Sequence, residues 1–120
     1  MTDLKLSDLP KTWFIDIDGV VFRHNGYKSL AEDEYEELLP GVAEFFSHLS
    51  HDDKIILCTS RTEDVRARTE ASLEHYGFRY DLLLMDLPIG ERIVINDTKP
   101  RGLETAVALN VPRDKGVHCE

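Results

Sequence analysis

The chain has 120 residues, 42% of them hydrophobic and 31% charged, and a formal net charge of −9 at pH 7. These proportions are ordinary for a water-soluble globular protein, and the length predicts a single domain over residues 1–120. The acidic excess argues against a nucleic-acid partner held through its phosphates. No apolar run approaches the roughly 20 residues that span a bilayer, and no signal peptide is evident, so we expect no membrane partner and a cytoplasmic location. Cys58 and Cys119 follow no metal-ligand spacing, which predicts a reducing compartment and no disulfide.

The first predicted strand, Thr12–Asp16, ends in closely spaced aspartates. Side chains two positions apart on a strand share a face, so Asp16 and Asp18 are expected to converge, and Gly19 permits a sharp turn after them. Neighbouring carboxylates repel each other and lose hydration. A bound divalent cation that prefers oxygen ligands would offset that cost.

A polar excursion over residues 19–39 follows this strand. Its acidic patch, residues 32–37, is typical of a solvated helix face or helix start. Pro40 and Gly41 then open an amphipathic helix, whose apolar side chains recur at helical spacing at Val42, Phe45, Phe46 and Leu49.

Strands and helices continue to alternate in the second half of the chain. A buried-strand pattern at Lys54–Cys58 is followed by a helix over residues 63–76, which Thr62 can cap and Gly77 terminates. Two further strands are predicted, Asp81–Met85 and Arg92–Ile95. The apolar segment Thr105–Val111 fits a helix or a strand, and a short edge strand before Pro112 is favoured.

This alternation predicts an α/β fold, a three-layer Rossmann-like arrangement in which helices cover both faces of a central parallel sheet. In such sheets, ligands bind beyond the carboxyl ends of the strands. Three predicted strands end there in small oxygen-bearing side chains, namely Asp16 and Asp18, Thr59 and Ser60, and Asn96 and Asp97. We therefore expect a functional site at this edge of the sheet.

The arrangement resembles the haloacid dehalogenase-like (HAD) phosphatase superfamily over roughly residues 12–111. The first motif of that family, Asp-x-Asp-x-Val/Thr, is matched by residues 16–20. Its second motif, an apolar strand ending in Thr or Ser, is matched by Ile55–Thr59, and its fourth, an apolar strand ending in acidic residues, by Ile93–Asp97. The resemblance implies a Mg²⁺-dependent phosphomonoester hydrolase with a HAD-like fold.

Each role implied by the resemblance follows from the chemistry of the side chain. Asp16 would attack phosphorus and carry a transient aspartyl phosphate. Asp18 would protonate the leaving oxygen and then act as general base for water. Mg²⁺ would be held by Asp16, the main-chain carbonyl of Asp18 and a side chain of the fourth motif. Thr59 would donate a hydrogen bond to a phosphoryl oxygen.

Two departures from the family pattern leave alternatives open. The fourth motif often holds an aspartate pair, whereas here Asn96 precedes Asp97; Asp97 brings charge and Asn96 lies nearer the strand end, so either is a candidate metal ligand. The family also places a lysine before the fourth strand, and none lies between Lys54 and Lys99. The cation that holds phosphate is therefore Arg92 or Lys99, and Lys99 is favoured because its loop continues from the metal-binding strand end.

The short excursions leave no room for a lid, so the chain resembles the small capless members of the superfamily. Their substrates are sugar phosphates, other small phosphomonoesters or phosphorylated ends of larger molecules, and the sequence over residues 95–100 resembles small proteins of bacterial surface-polysaccharide biosynthesis. A small-molecule phosphomonoester is the expected substrate. Its site would be open to solvent unless a homo-oligomer partner covers it. The expected substrate-binding residues are Ser60, His24 and Arg61, although Arg61 could instead form a salt bridge with the helix start at Glu63 and Asp64.

Two other functions fit parts of the pattern. A receiver-type signalling domain has a similar length and sheet, but it carries an adjacent acidic pair on its first strand and accepts phosphate after its third, where only Asp86 is available here. A catalytically silent binding subunit would explain Asn96 and the missing lysine. Retention of both Asp16 and Asp18 argues against it, because a silent site gains nothing from their repulsion. Phosphate release from a generic ester with Mg²⁺ separates the three functions.

Overall fold

Three strands and two α-helices alternate along the chain in a computed structural model that describes residues 5–118. The strands are β1 (Thr12–Asp16), β2 (Lys54–Cys58) and β3 (Leu82–Leu84), and the helices are α1 (Val42–Ser47) and α2 (Arg66–Tyr76). Two short 3-10 helices, Gly26–Ser29 and Glu63–Val65, complete the elements. The bounds of β1 and β2 are those predicted, and α2 is followed by Gly77, which adopts the left-handed conformation (φ 72°) typical of a helix C-cap.

The strands form a parallel sheet in the order β1-β2-β3. Phe14 pairs with Ile56, and Ile56 with Leu82, so the carboxyl ends of all three strands lie at one edge. One face of the sheet packs on the helices in a core of buried side chains that includes Ile15, Ile55, Leu57 and Leu83 from the strands and Val42, Phe45 and Leu73 from the helices. The predicted α/β class and parallel sheet are confirmed.

The opposite face of the sheet is not covered by helices within residues 5–118. Side chains alternate along a strand, so Phe14, Leu82 and Leu84 point away from the core, and all three are exposed. A three-layer arrangement requires helices on both faces. The described residues show only one helical layer on the sheet.

The predicted fourth strand, Arg92–Ile95, is not a strand among the described residues, and Thr105–Val111 is neither strand nor helix. Both stretches belong to a largely exposed segment, residues 92–111, in which Ile95 is 93% exposed. Within this segment, an isolated antiparallel β-bridge joins Thr98 and Glu104. The apolar run alone predicted a buried strand, but a strand also needs a neighbour for its backbone groups, and this run has no such pairing here.

The acidic patch at residues 32–37 also differs from the prediction, since it forms no helix. Its residues are exposed except Glu36, which is completely buried. A run of acidic residues is normally solvated, but a carboxylate in such a run can be buried when a buried cation pairs with it. No helix among the described residues is both long and apolar enough to cross a membrane. Cys119 lies outside the described residues, and Cys58 is buried at the end of β2.

The two faces of the sheet predict effects of different size when a leucine side chain is removed from β3. Leu83 is 6% exposed in the core, and Leu82 beside it is 54% exposed on the opposite face. Leu83→Ala should lower the free energy of unfolding by about 2–5 kcal/mol because it leaves a cavity. Leu82→Ala should change it by less than about 0.5 kcal/mol. Urea denaturation measures both, and equal losses would mean that the outer face is also packed.

Candidate active site

A tight turn follows β1 and sets the direction of the two aspartates. The carbonyl of Ile17 accepts hydrogen bonds from the backbone N–H groups of Val21 (2.9 Å) and Phe22 (3.1 Å). Gly19 lies in this turn with φ 84°, and a Cβ atom there would stand 3.1 Å from Cγ of Arg113. A side chain at this position would therefore be strained and crowded, which explains the glycine after the aspartates.

Asp16 stands at the carboxyl end of β1, with its side chain 39% exposed. Its Oδ1 atom accepts the N–H of Ile17 at 2.9 Å and lies 3.4 Å from Nη1 of Arg92. The carboxylate is thus accessible to solvent, and a guanidinium lies beside it. That is a suitable environment for a nucleophile that must approach a phosphate dianion.

Asp18 occupies a different environment two residues later, because Arg61 binds it with two parallel hydrogen bonds. Nε of Arg61 donates to Oδ2 at 3.0 Å and Nη2 donates to Oδ1 at 2.9 Å. The Asp18 side chain is 17% exposed. A bidentate contact of this kind fixes both the position and the plane of a carboxylate.

Arg61 is buried, and its remaining N–H groups are also bound. Nη1 donates to Oε2 of Glu36 at 2.8 Å and to Oγ1 of Thr69 at 2.9 Å, and Nη2 donates to Oε1 of Glu36 at 2.5 Å. Together with the bonds to Asp18, these contacts use all five guanidinium donors. Burial on its own lowers the pKa of Arg61, but the hydrogen bonds that it donates to Glu36 and Asp18 outweigh this effect and raise the pKa overall. Arg61 therefore carries a permanent charge at the base of the site.

This position answers the two alternatives that the sequence left open for Arg61. The side chain does not pair with the helix start at Glu63 and Asp64, and it is not presented to solvent as a substrate-binding cation. It pairs with Asp18 from the turn after β1 and with Glu36 from the acidic patch.

Thr59 and Ser60 lie at the carboxyl end of β2, at the same edge as the aspartates. Thr59 is buried; its N–H donates to the carbonyl of Leu84 at 2.9 Å, and its Oγ1 accepts the N–H of Arg61 at 3.1 Å. Ser60 is partly exposed and its hydroxyl lies 3.5 Å from the carbonyl of Pro88. Both hydroxyls stand at the end of the strand that neighbours β1, as the sequence predicted.

The fourth-motif residues lie in the exposed segment 92–111. Asn96 donates to the carbonyl of Thr105 at 3.3 Å, and Asp97 pairs with Lys99 at 3.3 Å. Arg92, at the start of the segment, is the member that contacts Asp16. Of the two candidate cations, the structure therefore brings Arg92 to the predicted nucleophile, whereas Lys99, which the sequence favoured, pairs with Asp97.

Residues of the excursion and the C-terminal segment border the site. The N–H of His24 donates to Oδ1 of Asp114 at 2.7 Å, and the N–H of Asp114 donates to the carbonyl of Gly19 at 2.9 Å. The Tyr27 ring lies 4.2 Å from the guanidinium carbon of Arg61. His24 is held near the turn after β1 through its backbone, and the residue is partly buried.

The donors at the end of β1 can be compared with what magnesium requires. The Asp16 carboxylate and the main-chain oxygen of Asp18 are hard oxygen donors, and Mg²⁺ is commonly bound by one or two carboxylates together with waters and substrate phosphates. Within residues 5–118, no three His, Cys, Asp or Glu side chains form a metal-ligand group, so Asp97 does not complete one with Asp16 and Asp18. The β1 donors fit a magnesium ion that takes its other ligands from solvent and substrate.

Sequence reasoning missed two parts of this site. Glu36 was interpreted as one of several solvated acids, and the neighbouring residues in the sequence give no signal that it is buried. The segment around Asp114 contacts the turn at Gly19, and the turn-forming run over residues 112–116 was the available signal.

No protein-family model matches the chain, and no match was found among curated proteins. A chain in the structure of the Pnkp1/Rnl/Hen1 complex is similar, with 30% identity over 72% of this chain and a TM-score of 0.52. A second, in the Pnkp1/Rnl/Hen1 RNA repair complex, has 32% identity over 71% of this chain and a TM-score of 0.51. The present chain spans 31% and 30% of those chains, respectively.

The buried Arg61 predicts a stability change that can be reversed by a second substitution. Arg61→Met leaves Glu36 buried without its cation and should lower the free energy of unfolding by about 3–5 kcal/mol. Adding Glu36→Gln removes the uncompensated charge, and the double variant should recover most of that loss. Urea denaturation of the two variants and the wild type measures the difference. A double variant no more stable than Arg61→Met would show that the buried charge is not the cause.

Proposed function

We propose that the chain is a phosphomonoester hydrolase that works through an aspartyl phosphate on Asp16, within the three-layer HAD-like fold that its motifs resemble. The observation that carries the proposal is the contrast between neighbouring carboxylates at the end of β1. Asp16 is accessible and lies beside Arg92, whereas Asp18 is largely enclosed and bound by Arg61. In many enzymes, two carboxylates in different environments take different roles, one as nucleophile and the other as general acid and base.

In the proposed reaction, an Asp16 oxygen attacks phosphorus, and the bond between phosphorus and the ester oxygen breaks. Asp18 in its acid form, with one of its two hydrogen bonds from Arg61 opened so that the freed oxygen carries the proton, gives that proton to the leaving oxygen, which departs as the alcohol. Asp18, now a carboxylate, takes a proton from water as the water attacks the aspartyl phosphate. Inorganic phosphate leaves and both aspartates return to their starting states. The Arg92 guanidinium and the Thr59 hydroxyl are the proposed partners of the phosphoryl oxygens.

Magnesium is the proposed cofactor, with Asp16 and the main-chain oxygen of Asp18 as its protein ligands; water and substrate phosphate would supply the others, because Asn96 and Asp97 make their contacts within segment 92–111. When bound, the ion would neutralise the phosphate oxygens as charge shifts toward the leaving group. The net charge of −9 otherwise repels a phosphate ester, so a local positive charge matters for binding as well as for turnover.

Two substrate classes are proposed for this site, and both are phosphomonoesters. The first is a small phosphorylated metabolite, such as a sugar phosphate of surface-polysaccharide biosynthesis, handled in the cytoplasm. The second is the phosphorylated end of an RNA, which the likeness to chains of an RNA repair complex favours. An open site suits both, and the acidic charge of the chain favours the small molecule, because an RNA brings further phosphates to the surface.

A screen of phosphomonoesters tests the function directly. Wild-type protein with Mg²⁺ should release inorganic phosphate from at least one sugar phosphate, small ester or phosphate-ended oligoribonucleotide, and chelation of the metal should stop the release. Asp16→Asn should abolish turnover with the fold retained, since an amide is a poor nucleophile. Asp86→Asn, at the receiver-type position, is the matched control and should stay active. Turnover by Asp16→Asn would exclude the proposed nucleophile, and no release from any ester would favour the silent binding subunit.

The cation beside Asp16 predicts which of two substitutions is the more damaging. Arg92→Ala should reduce kcat by roughly 10²- to 10³-fold if its guanidinium stabilises phosphoryl oxygens in the transition state. Lys99→Ala should change kcat little, because its ammonium group pairs with Asp97 in the exposed segment. Both variants are measured at saturating Mg²⁺, so that a weakened metal site does not contribute. The reverse order would restore Lys99 as the phosphate-holding cation.

A further inference from the structure

We propose that Glu36 is a positioning residue of this site, which holds Arg61 in the orientation that fixes the acid–base carboxylate of Asp18. The inference rests on the proposed function and adds to it a residue from the acidic patch. Glu36 does not face a substrate, since it is completely buried and both of its carboxylate oxygens accept hydrogen bonds from Arg61. Its effect on the reaction must pass through Arg61.

Glu36 is anchored to α2 through its backbone. Its N–H donates to Oγ of Ser72 at 3.2 Å, and its carbonyl accepts the hydroxyl of Tyr76 at 2.5 Å. Both partners project from one helix of the core, and Ser72 is itself buried. The backbone of Glu36, which lies outside any helix or strand, is therefore tied to a packed helix.

The carboxylate of Glu36 then fixes the plane of the Arg61 guanidinium. Its two oxygens accept from Nη1 and Nη2, while the Thr69 hydroxyl accepts the other Nη1 hydrogen. The Tyr27 ring lies against the guanidinium face at 4.2 Å. With those contacts in place, the Nε hydrogen and the second Nη2 hydrogen are directed at the oxygens of Asp18. The geometry makes the direction of the Asp18 carboxylate depend on Glu36.

Proton transfer to a leaving oxygen is sensitive to such placement, and a displacement of about 1 Å can cost on the order of 10²-fold in rate. An ester with a good leaving group needs little protonation, whereas an alkyl ester depends on it. A displaced Asp18 should therefore harm the alkyl ester more than the activated ester. A merely structural role for Glu36 would harm both substrates equally, because it would reduce only the fraction of folded enzyme.

The test compares Glu36→Gln with Glu37→Gln on two substrates, para-nitrophenyl phosphate and an alkyl phosphate such as glycerol phosphate. Glu37 is the adjacent acid, exposed and paired with Arg23 at 3.3 Å, so it controls for the loss of one charge. Glu36→Gln should lower kcat on the alkyl ester about tenfold more than on the nitrophenyl ester, with KM nearly unchanged. Glu37→Gln should leave the ratio of the two kcat values at the wild-type value.

A second variant covers the case in which Glu36→Gln does not fold. Glu36→Gln with Arg61→Met replaces the buried pair by neutral side chains, a change that proteins often tolerate, and it removes the contact to Asp18. It should show the same selective loss on the alkyl ester. Equal losses on both esters, or loss of cooperative unfolding in both variants, would overturn the positioning role. Wild-type protein that hydrolyses neither ester would instead refute the proposed function, so the two failures are distinguishable.

Discussion

The buried guanidinium of Arg61 is the constraint on which the arrangement of the site depends. A charge removed from water is tolerated only when its hydrogen bonds and its counter-charges are supplied by the protein. Here the acceptors come from three separate parts of the chain: the turn after β1 with Asp18, the acidic patch with Glu36, and α2 with Thr69. Since Arg61 itself follows β2, one side chain holds the end of the sheet, the excursion and the helix together. Loss of any one acceptor leaves a donor or a charge unpaired.

The same contacts separate two aspartates that are chemically identical and only two positions apart. The alternation of side chains along β1 and the turn at Gly19 bring both aspartates to the carboxyl edge of the sheet, but their partners differ. Asp16 meets the solvent and the half-exposed Arg92, and Asp18 meets the enclosed Arg61. Shielding from water strengthens the second contact relative to the first. The backbone thus places the pair, and the two arginines give its members different properties.

Local patterns were enough to predict β1, β2 and the residues at their carboxyl ends, because strand alternation and the edge rule of parallel sheets depend on few distant contacts. Glu36 could not be predicted, since nothing near it in sequence indicates that a cation 25 positions later will be buried against it. The choice between Arg92 and Lys99 likewise required the path of the backbone after β3. The strand expected at Arg92–Ile95 depended on a long-range pairing, which an apolar run does not specify.

The residues of segment 92–111 differ in whether they contact the site. Its first residue, Arg92, contacts Asp16, while Asn96, Asp97 and Lys99 form their contacts within the segment. Little apolar surface is buried along it, as the exposure of Ile93 and Ile95 shows, so packing contributes little to holding its shape. Arg92 is therefore positioned mainly by its pairing with Asp16, an exposed contact that salt weakens, whereas Arg61 is positioned by a packed core. In the proposed reaction a phosphate entering the site would compete for Arg92 and leave the contacts of Arg61 with Glu36 and Thr69 intact, so the site would combine one cation free to exchange partners with one that stays fixed.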